Sequence, residues 1–272
     1  MTAPAPLLKS STTTVQANFT SQSRNDQPQP TAQDGRRPIR PRQRHPRPLR
    51  QGHPCNWRNT NPVSLPPTGN SGLGEAIIKA YAPHNPATIY LAARRDPATL
   101  APLLERLQAL APRTTITLLQ LDLASLASVA AAAARVAADA PRLDILHLNG
   151  GISALPRATT TDGYELQFGT NFVGHALLAK LLAPKLLETA ALPGADVRVV
   201  AVSSVAHRVF APRAGVEFDS LATDGSALGA MALYGQSMVA KTLYMHELAR
   251  RYPQVSWTSA HPGRFACCVV AR

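Results

Sequence analysis

The stretch Thr68-Gly69-Asn70-Ser71-Gly72-Leu73-Gly74 runs directly into Glu75-Ala76-Ile77-Ile78-Lys79-Ala80-Tyr81, and its reading decides the fold. Glycines are needed where a strand turns sharply into a helix and the backbone must come close to a phosphate. The apolar spacing after Gly74 predicts an amphipathic helix, whose first N–H groups and positive dipole end would face that anion. A Gly-rich turn alone is often only a turn, so the weight rests on the chain beyond Tyr81.

That part of the chain alternates. Residues 88–93 read as a strand, and Asp96-Pro97 as an N-cap with proline at the first helical position, opening a helix to about Leu110. A third strand at 116–121 ends at Asp122, and the Ala-rich run 125–139 is helical by propensity. A fourth strand at 143–149 closes on Gly150-Gly151, a long helix covers about 161–189, and a fifth strand covers 197–204. A helix at about 231–252 and a sixth strand at 255–260 complete the pattern. Strands separated by helices of this length imply βαβ crossovers, hence an α/β fold with a doubly wound, Rossmann-like parallel sheet. The strand that ought to enter the glycine turn reads Asn61-Pro62-Val63-Ser64-Leu65-Pro66-Pro67. Proline removes ladder donors and argues against a central strand, so the first strand is expected to be missing or degenerate.

Composition divides the chain at the same place. Of 28 Lys/Arg, ten fall in residues 1–67 against only Asp26 and Asp34, and so do half of the 24 prolines. That is the make-up of a disordered, basic, Pro-rich tail, followed by one domain at 68–272. Its arginines could touch phosphates or its prolines dock on an adaptor; no aromatics interleave for base stacking, and a solvated tail is the favoured reading. The remainder carries a net charge of only +4, which supplies no electrostatic reason to expect nucleic acid. Three cysteines (Cys55, Cys267 and Cys268) make no disulfide framework and suit a reducing, cytoplasmic setting. No apolar run approaches the ~20 residues of a membrane helix. The acid-free, Ser/Thr-rich start has features of a mitochondrial presequence, but with Lys9 as its one cation that is the less favoured reading.

Thr68–Gly74, Asn149-Gly150-Gly151, Asn171, Ser203-Ser204, Tyr234 and Pro262-Gly263 occur in an order and spacing that resembles the short-chain dehydrogenase/reductase family. Local runs sharpen the likeness to its retinol-dehydrogenase and WW-domain-oxidoreductase-like branch, including fungal members. They are Asp162-Gly163-Tyr164-Glu165, Asn171-Phe172-Val173-Gly174-His175, Ser204-Val205-Ala206-His207 and Tyr234-Gly235-Gln236-Ser237.

The resemblance implies hydride transfer between a nicotinamide and a carbonyl or alcohol carbon, with a small molecule as substrate. The reacting oxygen must gain or lose a proton, a task for a positioned acid/base. By resemblance that group is Tyr234, with Ser204 bonding the substrate oxygen and Asn171 holding a relay water where its helix bends. Gly69, Asn70, Ser71, Gly72, Leu73 and Gly74 would cradle phosphate, and Asn149, Gly150, Gly151, Tyr234, Pro262 and Gly263 would line the same cofactor. Asp122 would meet the adenine edge, or simply cap the Ala-rich helix. Where an NAD enzyme would place an acid on the ribose, this chain has Arg94 and Arg95, which suit the 2′-phosphate of NADP(H).

The chain also departs from the family pattern. Only Asn70 and Ser71 separate Gly69 from Gly72, one residue fewer than in relatives. Relatives carry lysine four residues after the tyrosine, where this chain has Met238; Lys241, ~10.5 Å farther along the helix than Tyr234, is a partial substitute at best. Beyond Gly263 nine residues remain where relatives continue, which reads as a C-terminal truncation. The expectation is an NADP(H)-dependent oxidoreductase of impaired competence, the alternative a catalytically inactive binding or scaffold protein.

Overall fold

The computed structural model describes residues 72–263 and, as backbone, Val63–Leu65. The expectations for the basic tail, for Gly69, Asn70 and Ser71, and for residues 264–272 lie outside the described residues.

Six strands, β1 (Val63–Leu65), β2 (Thr88–Ala93), β3 (Thr115–Gln120), β4 (Ile145–Leu148), β5 (Arg198–Val202) and β6 (Ser256–Ala260), form one sheet. All neighbours pair in parallel, in the order β3-β2-β1-β4-β5-β6. The first strand is therefore present but degenerate, and it lies inside the stretch 1–67 read as tail. Val63 and Ser64 align with Thr88 and Ile89 on one side, while Ser64 and Leu65 align with Ile145 and Leu146 on the other. Pro62 and Pro66 bracket it in sequence, and proline has no N–H to give a ladder, which is why the stretch reads poorly as a strand.

The helices are α1 (Gly72–Tyr81), α2 (Ala101–Leu110), α3 (Leu126–Asp139), α4 (Leu166–Phe168), α5 (Gly174–Ala190), α6 (Ala206–Val209) and α7 (Ala230–Arg251). As expected, Asp96 caps the turn at Pro97–Leu100 that leads into α2, its carboxylate accepting from the Ala98 N–H. Helix α3 starts where Ser125 Oγ accepts from the Ser128 N–H, and it buries Val129, Ala132, Ala133 and Val136 along one side.

The helix read at 161–189 differs in two ways. It starts later, because residues 159–165 make a tight reversal closed by a bridge between Thr159 and Glu165, and the Glu165 carboxylate caps α4 at the Gln167 and Phe168 N–H groups. It is also not uniform: a π-helical turn at Gly169–Val173 separates α4 from α5 and carries Asn171.

Apolar residues pack on both sides of the sheet. On one, α3, α5 and α7 cover Tyr90, Leu119, Leu146, Leu148, Val199, Ala201 and Trp257. On the other, Ile78 of α1 and Leu103 and Leu107 of α2 cover Ile89 and Leu91. Strand β2 is thus buried on both faces, as a parallel strand between helical layers must be. Strand β5 alternates instead: Val199 and Ala201 are buried while Arg198, Val200 and Val202 are half-exposed. No helix among the described residues is long and apolar enough to cross a membrane.

Candidate active site

In a parallel sheet every strand delivers its next loop to the same edge. The connections reverse direction between β1 and β4, and ligand crevices of open α/β sheets open outside the carboxyl ends of the strands at such a point. Past β1, α1 begins at Gly72 with φ +55°, a left-handed conformation that any side chain would resist. Past β2 stand Arg94 and Arg95, both exposed and neither in an ion pair among the described residues. The Arg94 carbonyl accepts from Gln120 Nε2, which fixes the backbone there.

Asp122 follows β3. It does not cap α3, a task Ser125 performs; its carboxylate accepts instead from the Ala124 N–H at 2.9 Å, and its own N–H donates to Ser128 Oγ. Asn149, Gly150 and Gly151 follow β4, Ser203 and Ser204 follow β5, and Pro262 and Gly263 come just after β6. Ser204 Oγ lies 3.3 Å from the Ala206 N–H at the start of α6, while Ser203 Oγ pairs with Thr242 Oγ1 of α7.

Helix α7 descends past this edge. Lys241 Nζ donates to the Leu148 and Val202 carbonyls, which end β4 and β5, at 3.3 and 3.1 Å. Farther on, Met245 and Leu248 enter the core. Tyr234 comes seven residues before Lys241, ~10.5 Å back along the α7 axis towards its N-terminus. Met238 lies between, buried. Lys241 is itself only 2% exposed, and its hydrogen bonds among the described residues go to those two carbonyls and not to Tyr234. Its amine fastens the ends of β4 and β5 from beneath. Burial lowers its pKa to about 7.

Asn171 is wholly buried and uses its whole side chain. Oδ1 accepts from the Ile152 N–H, and Nδ2 donates to the Ile152 carbonyl and to Ser237 Oγ, which in turn donates to the Tyr234 carbonyl at 2.7 Å. A π turn leaves a carbonyl without its usual i+4 partner. Here the Asn171 carbonyl faces Nδ1 of His175 at 2.9 Å.

Two buried imidazoles set an acid limit on the fold. Desolvation lowers the His147 pKa to about 4. His175 is also lowered, by burial first and by the Lys241 charge second, against the opposing bond to Asn171. Both folded pKa values lie below the unfolded value, so the unfolded chain takes up protons first. Their stabilisation is present above ~6.5 and is lost as pH falls towards each folded pKa. For His147 the loss amounts to roughly 3 kcal/mol between ~6.5 and about 4. Glu165, raised by burial, pulls the other way: its contribution is present below the ordinary carboxylate range and is lost as pH rises through its folded pKa. We expect urea midpoints to drop between pH 6.5 and 4, and the drop to be shallower in His147→Gln; equal slopes would contradict this assignment.

Gln167 is not among the residues the sequence marked, and Ser237 was marked only within the run 234–237, with no role given to it. Gln167 stands one turn before Asn171, a spacing that puts two amides on one helix side, and it is as deeply buried. That i, i+4 pair was the available signal.

Fold and site together describe a dinucleotide-fold domain with a serine and a tyrosine at one edge. The short chain dehydrogenase family model matches residues 68–216, and the chain belongs to that family. An uncharacterized oxidoreductase of Schizosaccharomyces pombe is 36% identical over 208 residues, 75% of this chain and 60% of that protein. Retinol dehydrogenase 13 of Homo sapiens is 39% identical over 145 residues, 53% of this chain and 41% of that protein. The chain thus spans less than two thirds of either relative. A solved structure, a putative uncharacterized protein from Mycobacterium paratuberculosis, superposes with a TM-score of 0.58 at 31% identity, covering 75% of this chain and 68% of its own.

Proposed function

We propose that this edge carries an NADP(H)-dependent interconversion of a carbonyl and an alcohol, at a reduced rate. The observation that supports the reading is on α7: Lys241 bonds the carbonyls that end β4 and β5, and Tyr234, two turns earlier on the same helix, has its carbonyl tied through Ser237 and Asn171 to Ile152 in the loop after β4. The residues present fit a dinucleotide. Gly72 opens α1 in a left-handed conformation at the helix end that would face a phosphate, and Arg94 and Arg95 leave two exposed guanidiniums past β2 in no ion pair among the described residues, while the neighbouring Asp96 carboxylate is taken up in capping the Pro97–Leu100 turn. Phosphate would rest on the turn ending at Gly72-Leu73-Gly74, the 2′-phosphate on Arg94, and the rest of the cofactor along Asp122, Asn149-Gly150-Gly151 and Pro262-Gly263. When bound, the nicotinamide supplies or takes the hydride.

The protein's share is the proton and the charge. In reduction Tyr234 gives its hydroxyl proton to the carbonyl oxygen, and the Ser204 hydroxyl donates to that oxygen as charge gathers on it. Asn171 keeps the Ile152 loop and the Tyr234 helix together. Lys241 acts at one remove, by fixing the ends of β4 and β5 on which Asn149 and Ser203-Ser204 depend. Buried Met238 puts no cation one turn from Tyr234, and this is what favours slow turnover.

Mixing the full chain with NADPH and a panel of aldehydes and ketones tests the reading; consumption of NADPH is expected, and none across the panel would count against it. Arg94→Asp is expected to move the kcat/KM preference from NADPH towards NADH by about tenfold, the worth of one 1.4 kcal/mol contact. An unchanged ratio would remove Arg94 from its role.

A further inference from the structure

Two buried amides stand one turn apart beside the tyrosine helix, and only one of them has a part in the mechanism above. Gln167, 2% exposed, accepts from the Ala154 N–H through Oε1 and donates from Nε2 to the Ala230 carbonyl, both at 3.0 Å. Asn171 joins the same two segments one turn later, reaching Ile152 on one side and Ser237 on the other. In α-helical register the Ala230 carbonyl is the acceptor for the Tyr234 N–H. Gln167 therefore holds the oxygen to which the Tyr234 amide is bonded, while Asn171, through Ser237, holds the Tyr234 carbonyl.

Among the described residues no other side chain bonds to Ala230, although just before the helix Arg157 Nη2 donates to the Leu228 carbonyl. Gly229, the residue before the helix, offers no side chain to cap it. At the other end of the Gln167 bridge, Ala154 sits at φ +53°, a left-handed conformation that a non-glycine residue keeps only when its surroundings impose it. The N–H of this residue is the group that bonds to Gln167.

We propose that Gln167 is a positioning residue for Tyr234. With Asn171 it forms a two-rung amide ladder that fixes the tyrosine helix against the loop following β4, so that Tyr234 and the Gly150-Gly151 loop keep one separation. The proposal rests on the reading of Tyr234 as the proton donor. It does not require Gln167 to touch substrate or cofactor.

The test uses the full chain with Gln167→Met, which keeps the length and loses both bonds, and Gln167→Glu. A protonated carboxyl can donate to Ala230 and accept from Ala154 as the amide does, whereas a carboxylate can only accept. In Gln167→Met, kcat is expected to fall by tenfold or more while KM for NADPH stays within about threefold, since an ångström of misplacement costs on the order of 10²-fold. Gln167→Glu is expected to recover turnover at acid pH and to lose it on a limb that the unsubstituted protein lacks as pH rises. Unchanged kcat in Gln167→Met, or losses in both variants that only follow the folded fraction, would overturn the proposal.

If the unsubstituted chain does not turn over at all, the reading of Tyr234 fails, and amide hydrogen exchange still decides this one. Exchange in Gln167→Met is expected to quicken at residues 150–156 and 230–238 and to stay unchanged at 126–139. Uniform acceleration, or no change at the two segments, would overturn it.

Discussion

Tyr234→Phe is expected to lower NADPH-dependent carbonyl reduction by on the order of 10²–10⁴-fold, the usual worth of a positioned acid/base. The ring remains and the hydroxyl is all that is lost. That hydroxyl makes no hydrogen bond to a described residue, and Tyr234 is only half-buried, so its removal leaves no orphaned partner in the fold. What holds the residue in place is its backbone, through the Ala230 carbonyl and Ser237, and phenylalanine keeps both. Thermal midpoint and NADPH affinity are therefore expected to stay near those of the unsubstituted chain. A variant that turns over at the original rate would show that the proton comes from elsewhere.

Gly235→Ala, one residue on, is expected to act through stability instead. A Cβ at 235 would lie 2.5 Å from the Ala211 nitrogen, 2.7 Å from the Phe210 carbonyl carbon and 2.9 Å from the Ala211 Cα. All three are backbone atoms, so no side-chain rotation relieves the overlap. The chain after α6 would have to move off α7, and with it the contacts that bind the 217–220 turn to Gln236. Overpacking of this kind costs about 1–3 kcal/mol, and an immovable backbone puts this case at the upper end. In a domain of about 200 residues that lowers the thermal midpoint by several degrees. An unchanged midpoint would mean that the two segments are not packed in this way.

Most of the sheet was legible because β2 to β5 are largely apolar runs bounded by polar or glycine-rich turns, with a helix-length interval after each. Strand β1 was not. Val63-Ser64-Leu65 is too short to show a period, and the prolines around it argue against pairing; its place comes from β2 and β4, which supply partners on both sides. The late start of α4 was hidden for a related reason. Thr160 and Glu165 are compatible with a helix, but the Thr160 N–H bonds to the Tyr164 carbonyl and the Glu165 carboxylate turns forward to cap.

For the site, the resemblance to the short-chain dehydrogenase/reductase family marked Asn171, Ser204 and Tyr234 as candidates, by motifs in the family's order and spacing. Heights relative to the sheet were not legible. Helix geometry set Lys241 on roughly the same side of α7 as Tyr234, yet only the packing of α7 on β4 and β5 reveals that its amine meets the Leu148 and Val202 carbonyls. Gln167 stayed hidden because its partners are backbone groups at Ala154 and Ala230, which no residue type advertises.

The central claim, that this edge moves hydride from NADPH to a carbonyl carbon, is tested most directly with NADPH carrying deuterium at the transferable nicotinamide position. The full chain would be incubated with that cofactor and a small aldehyde, and the alcohol analysed by mass spectrometry. The predicted result is one deuterium on the alcohol carbon, formed slowly by the unsubstituted chain and not detectably by Tyr234→Phe. Alcohol formed without deuterium, or deuterated alcohol formed equally fast by the two proteins, would contradict it.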